Sequence, residues 1–185
     1  SRTLLEAFVA ARARLGSGAL LAIAGGENLF DYREYRERWE ADVLRLGVRV
    51  HRGPGPVPAD VQVAVLGPIA DEQMPALYRG ADVLAFPSTL EGFGLVVLEA
   101  MASGIPAVVS DLPVLREHFV DRQDCLMVGA DDAPGLADAL VTAVADAPTR
   151  AGLIAAGRRT AARFSWAACA ERHEQIYRRI HADGR

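Results

Sequence analysis

Two glutamates, Glu91 and Glu99, flank a Gly92-Phe93-Gly94 turn, with seven residues between them in the stretch from Ser88 to Met101. A carboxylate can accept two hydrogen bonds from a vicinal diol, which is how acidic side chains hold ribose in dinucleotide-binding folds. Between the two, the backbone amides of residues 92–96 and the positive end of the helix that follows can hold phosphate. Gly92 and Gly94 let the backbone approach an oxygen with no side chain in the way. One carboxylate for each sugar ring, with phosphate between, is a coherent arrangement for a nucleoside diphosphate sugar. The competing reading is a pair of ordinary solvated glutamates.

The elements around the pair bear on that choice. Asp82-Val-Leu-Ala-Phe86, closed by Pro87, has the length and composition of a buried strand. A helix starting near Phe93 or Gly94 puts Glu99 on one face with Leu95, Val96, Ala102 and Ser103, and puts Leu98, Met101 and Ile105 on the other. A helix apolar nearly all round is expected to be sandwiched in the fold. A carboxylate buried there without a partner costs several kcal/mol or is forced neutral. No Arg or Lys lies between Gly80 and Arg116, so its partner must come from elsewhere in the fold or from a ligand.

Strands and helices alternate through most of the chain. Helical patterns run from Thr3 to Leu15, from Asp31 to Leu46, from Asp71 to about Arg79 and from Pro113 to Phe119. Between them stand short apolar runs at Leu20–Ala24, Val48–His51, Val61–Leu66, Val83–Phe86, Pro106–Val109 and Leu126–Val128. This order predicts an α/β fold, a Rossmann-like, doubly wound parallel sheet. The last third is helical: Ala133–Ala147, Arg150–Arg163, and a final helix from Ser165 as N-cap to about His181. In that last helix Trp166, Cys169, His173, Ile176 and Tyr177 share one stripe, which predicts a packed face. In the second helix Tyr32, Tyr35, Trp39, Val43 and Leu46 form the expected packing stripe, with Arg33–Glu37, Glu34–Arg38 and Arg36–Glu40 outside. Gly25-Gly26 reads as a tight turn, and proline-rich Arg52–Asp60 as an irregular loop, a candidate lid or edge feature. His51 alone is no sign of catalysis.

At 185 residues the chain is sized for a single domain. The net charge of -4 argues against a nucleic-acid partner, which would need a basic face. No apolar run reaches the roughly 18–20 residues of a membrane span. Cys125 and Cys169 fit no metal-ligand spacing, so reduced thiols in a cytosol-like compartment are expected, and no metal or resident cofactor is called for. Because the chain opens already inside a helical pattern, it reads as a piece of a longer protein.

The stretch Pro87-Ser88, Glu91-Gly-Phe-Gly-Leu95 and Glu99-Ala-Met-Ala-Ser-Gly104-Ile-Pro106-Ala-Val-Val109 resembles the signature of retaining GT-B glycosyltransferases of family 4, the glycosyl transferases group 1. The resemblance runs on through Ser110–Glu117 to Phe164-Ser-Trp166. It covers essentially the whole chain as the C-terminal, donor-binding half of a GT-B fold with a helical C-terminal segment. By position it implies that Glu99 binds the donor's ribose and that Glu91 contacts the transferred sugar, as a catalytic-site residue. It further implies that the amides of Gly92, Phe93, Gly94, Leu95 and Val96 meet phosphates and sugar, and that Gly67-Pro68-Ile69 meets the nucleobase through backbone.

The implied donor is a UDP-, GDP- or ADP-sugar, the transfer of its hexosyl group is retaining and needs no metal, and the acceptor is a glycan, lipid or small molecule. The first strand, a basic Arg…Lys-Gly pair and the acceptor-binding N-terminal domain of such enzymes have no counterpart in this chain, so the fragment by itself is expected to be inactive. The chain also departs from the family in Cys125, where glycine is frequent, and in its longer Arg52–Asp60 connection. The implied location is cytoplasmic, or peripheral at the inner membrane. A catalytically inert nucleotide-sugar binding module, a sugar-nucleotide epimerase and a phosphorylase of GT-B architecture are the alternatives.

Overall fold

A computed structural model of the chain describes residues 2–25, 33–53 and 55–183. The order is α1 (Arg2–Leu15), β1 (Leu21–Ala24), α2 (Arg33–Leu46), β2 (Val50–Arg52), β3 (Val63–Gly67), α3 (Met74–Gly80), β4 (Leu84–Phe86), α4 (Leu95–Ser103), β5 (Ala107–Ser110), α5 (Pro113–Arg116) and β6 (Leu126–Val128). Three helices follow: α6 (Ala133–Ala145), α7 (Ala147–Ala161) and α8 (Trp166–Asp183). Every strand pairing is parallel, as the alternation of strands and helices requires.

The strands form two three-stranded sheets, β1-β3-β2 and β4-β5-β6, where the sequence predicts a single sheet. The α/β class with parallel pairing stands. β1 and β4 are each an edge strand, and no ladder among the described residues joins the two sheets. One helix serves both sheets. On α1, Leu5 and Phe8 pack with Val43 of α2 and Val63 of β3, while Ala7 and Ala11 pack with Leu136, Ala137 and Leu140 of α6 and with Val108 of β5. The central strand β5 is buried at all four positions, which explains its unbroken apolar sequence.

Local chemistry sets several boundaries. Asp132 caps α6 by accepting from the Gly135 amide at 2.8 Å, and Ser165 Oγ accepts from the Ala168 amide at 3.1 Å at the start of α8, as expected. On α2, Trp39, Val43 and Leu46 pack inward and Arg38 reaches Glu34 at 3.2 Å. Tyr32, Gly26 and the side chains of Arg33 and Tyr35 lie outside the described residues.

The stripe on α8 is not packed: Trp166 is 90% exposed and Tyr177 67%. His173 is exposed as well, its Nδ1 lying 2.8 Å from the Cys169 carbonyl oxygen. Apolar periodicity marks a face that can pack, but here Trp166, Ile176 and Tyr177 stay exposed. Cys125 and Cys169 are free thiols, and burial pushes the Cys125 thiol well above its ordinary range.

Candidate functional site

Glu91 sits on the loop that leaves β4 and leads into α4. Its Oε1 accepts from three successive amides, those of Gly92 at 2.8 Å, Phe93 at 3.1 Å and Gly94 at 3.2 Å. The Phe93 amide does most to hold this carboxyl below the usual carboxylate range; burial pushes back, and the Gly92 and Gly94 amides add to the lowering. Oε2 takes part in none of these bonds and is left to accept from a ligand. The loop itself is tied by Ser88, whose hydroxyl donates to the Leu90 carbonyl at 2.7 Å.

This geometry narrows the expected phosphate seat. Three of the five amides from Gly92 to Val96 already hold an anion, the protein's own carboxylate. The amides of Leu95 and Val96, in the first turn of α4, remain unpaired. Both residues are exposed, Leu95 at 62% and Val96 at 38%. A helix N-terminus with open amides attracts negative charge.

Glu99 lies one turn farther along α4, about 6 Å beyond Leu95 at 1.5 Å per residue. Its Oε2 accepts from the Tyr78 hydroxyl of α3 at 2.9 Å. The Tyr78 ring is buried, and burial first, then the Glu99 hydrogen bond, raises its pKa far above the ordinary range, so it stays a donor. The expectation of a sandwiched helix fails. Val97, Leu98, Ala100 and Met101 are buried, but the face of Leu95, Val96, Glu99 and Ala102 is open to solvent. Glu99 therefore stands on an exposed face, with Tyr78 as its partner.

The glycine turn is fixed by packing. Gly94 has φ +90°, and a Cβ there would lie 2.7 Å from Leu115 Cδ2 and 3.5 Å from Phe119, whereas one on Gly92 would meet nothing. The Phe93 ring is held 4.5 Å from His118 and 5.8 Å from Phe164, centroid to centroid. At the other end of α4, Gly104 closes the helix at φ +84°.

Gly67, Pro68 and Ile69 lie at the C-terminal end of β3, on the other sheet, where open α/β folds bind ligands. Gly67 has φ +75°, and its carbonyl accepts from the Gly25 amide at 2.9 Å. No hydrogen bond among the described residues joins this turn to Glu91–Glu99. The connection is α3, which starts a few residues later and delivers Tyr78 to Glu99.

The sequence reading assigns no role to Tyr78 or His118, and names Ser110 only as the start of a stretch. Tyr78 could have been flagged as a tyrosine on an apolar helix face, since a buried phenol usually finds an acceptor. Ser110 is fully buried at the C-terminal end of β5, one residue past the Phe86–Val109 pairing, and its hydroxyl has no partner.

A family model described as "Glycosyl transferases group 1" matches residues 58–160, more than half of the chain. The D-inositol 3-phosphate glycosyltransferase of Corynebacterium diphtheriae is 40% identical over 116 residues, 63% of this chain and 27% of that protein. Sucrose-phosphate synthase from Thermosynechococcus elongatus superposes with a TM-score of 0.77 at 30% identity, over 98% of this chain and 43% of that one. Anabaena Alr3699/HepE in complex with UDP and glucose gives 0.70 at 19% identity, over 92% of this chain and 51% of that one, a likeness of fold alone. The chain thus spans about half or less of the length of these proteins. Its structural neighbours are GT-B glycosyltransferases, and the chain belongs to the glycosyl transferases group 1 family.

Proposed function

We propose that this chain is the donor-binding half of a retaining GT-B glycosyltransferase of family 4, which binds a nucleoside diphosphate sugar and passes its hexosyl group to an acceptor. The observation that carries the reading is the paired setting of the two carboxylates. Glu91 is anchored through Oε1 with Oε2 free, and Glu99 is steadied by Tyr78 on the same loop-and-helix unit, with the unpaired amides of Leu95 and Val96 between them.

In this reading Glu99 accepts from the ribose hydroxyls and Glu91 Oε2 from a hydroxyl of the transferred sugar. The Leu95 and Val96 amides, at the positive end of α4, meet the diphosphate, and the backbone of Gly67-Pro68-Ile69 borders the base. Holding the donor at both sugar rings fixes its anomeric carbon, which is the positioning a group transfer needs. The diphosphate that departs carries negative charge, and the helix end stabilises it. No Arg or Lys lies between Gly80 and Arg116, and in this reading the remaining counter-charge and the acceptor belong to an N-terminal domain outside this chain. A nucleotide-sugar donor is in keeping with that neighbour's having been solved with UDP and glucose, a likeness that carries the fold and leaves the base open. No single described helix is long and apolar enough to cross a membrane, and a cytoplasmic or membrane-peripheral location is part of the proposal.

The test is donor turnover by the full-length enzyme. Glu99→Ala is expected to abolish it, and unchanged turnover would reject the ribose role. NMR of the product should show the anomeric configuration of the donor retained. The chain alone should transfer no sugar.

A further inference from the structure

The turn at residues 120–124 packs against α7, and two adjoining hollows of about 240 and 350 Å³ run along the contact. They share Gln123, Ala156 and Arg159; Arg163 and Thr160 line the first, and Arg122 the second. Three arginines, Arg122 of the turn, Arg159 of α7 and Arg163 just past its end, thus line the two hollows on a chain whose net charge is -4.

The carboxylates beside the groove are largely engaged elsewhere. Asp124 is buried, accepting from the Val120 amide at 2.8 Å through one oxygen and from the Thr160 hydroxyl at 2.8 Å through the other. Asp121 accepts from the Met127 amide at 2.8 Å and stands 3.8 Å from Arg122, a loose ion pair. Arg163 makes one long bond, 3.4 Å, to Thr160, and Arg159 has no hydrogen-bond or ion-pair partner among the described residues. The same bonds make the turn rigid. Arg122 is held at φ +58°, a left-handed conformation uncommon for a residue with a side chain, by its amide's bond to the Cys125 carbonyl at 2.8 Å. Basic residues in the last turn of α7 also complement its helix dipole, but that does not account for Arg122, which comes from another element.

We propose that this groove is an anion site that takes a phosphate group, with the Arg122, Arg159 and Arg163 guanidinium groups as its donors. All the chain's basic side chains except histidine are arginine, and the planar fork of arginine matches two phosphate oxygens at once. The phosphate is either that of a free phosphorylated small molecule or the headgroup of a lipid. None of the residues lining the hollows belongs to the Glu91–Glu99 face, and the proposal does not rest on the reading of that face.

The test compares the full-length protein with its Arg122→Gln/Arg159→Gln double variant. Inorganic phosphate and glycerol phosphate are titrated by calorimetry, and phosphatidylcholine vesicles with and without phosphatidylglycerol are assayed by flotation. The Leu95 and Val96 amides offer a second anion seat, so the difference between the two proteins is the readout. The double variant should keep its circular dichroism melt and lose about tenfold or more in affinity. Loss seen with the soluble phosphates assigns a free phosphate, and loss seen only with phosphatidylglycerol vesicles assigns a headgroup. Equal affinity of the two proteins for every probe, or no binding of any probe by the native protein, overturns the proposal.

Discussion

Gly94→Ala is the sharpest test of how the turn holds the site. Gly94 has φ +90°, and a side chain in the left-handed region costs about 1–2 kcal/mol. The new Cβ would stand 2.7 Å from Leu115 Cδ2. Leu115 is fully buried and packed with Phe119, so it cannot swing aside. Overpacking of this kind costs about 1–3 kcal/mol, giving a total of about 2–5 kcal/mol. Gly92→Ala, two residues away, meets open space at an ordinary φ and should stay within about 0.5 kcal/mol of the native protein. Urea melts of both variants read this directly, as a lowered midpoint at unchanged slope for Gly94→Ala. Since the Gly94 amide also donates to Glu91, donor binding should weaken along with stability. A Gly94→Ala variant as stable as the native protein, or a Gly92→Ala variant equally damaged, would refute the reasoning.

Other outcomes follow from the same geometry. The Glu91 carboxyl is held below its ordinary range by the Phe93, Gly92 and Gly94 amides. Its stabilisation, about 1 kcal/mol for a carboxylate bonded to the loop's own amides, is therefore complete above the unfolded pKa of about 4.3 and is lost as pH falls through the folded value. Native and Glu91→Gln proteins should differ in urea midpoint at neutral pH and converge on acidification; a gap that persists in acid would contradict a role for the charged carboxylate in holding the turn. Tyr78→Phe removes the hydroxyl that steadies Glu99 but keeps the buried ring, so stability should fall by no more than about 1 kcal/mol. Nucleotide affinity should drop several-fold in the same variant, and an unchanged titration would show that Tyr78 does not position Glu99.

Much of the fold is readable because the signals are local. The run Pro106–Val109 reads as a strand and the observed β5 covers Ala107–Ser110, and Ser165 caps the helix it precedes. The bonds from Glu91 to the amides of its own turn were readable too: an acidic side chain at the head of a Gly-Phe-Gly turn has successive amides within reach. Burial is harder, because it depends on what stands opposite. Leu95 and Val96 on α4, and Trp166 and Tyr177 on α8, are as apolar as any core residue, yet all four are exposed. Counting apolar faces therefore made α4 a sandwiched helix and α8 a packed one. The division into two sheets and the Tyr78–Glu99 bond, which spans 21 residues, depend on pairing between distant segments that periodicity does not encode. The groove beside α7 escaped for the same reason: Arg122 and Arg159 meet only once the turn at residues 120–124 is stitched to that helix by Asp124.

The central claim is that the Glu91–Glu99 face holds a nucleoside diphosphate sugar. Calorimetric titration of the full-length protein with UDP, GDP and ADP, repeated on Glu99→Ala, tests it most directly. One of the three nucleotides should bind, and the substitution should weaken that binding by about tenfold or more. Failure of all three to bind, or unchanged affinity in Glu99→Ala, would contradict it.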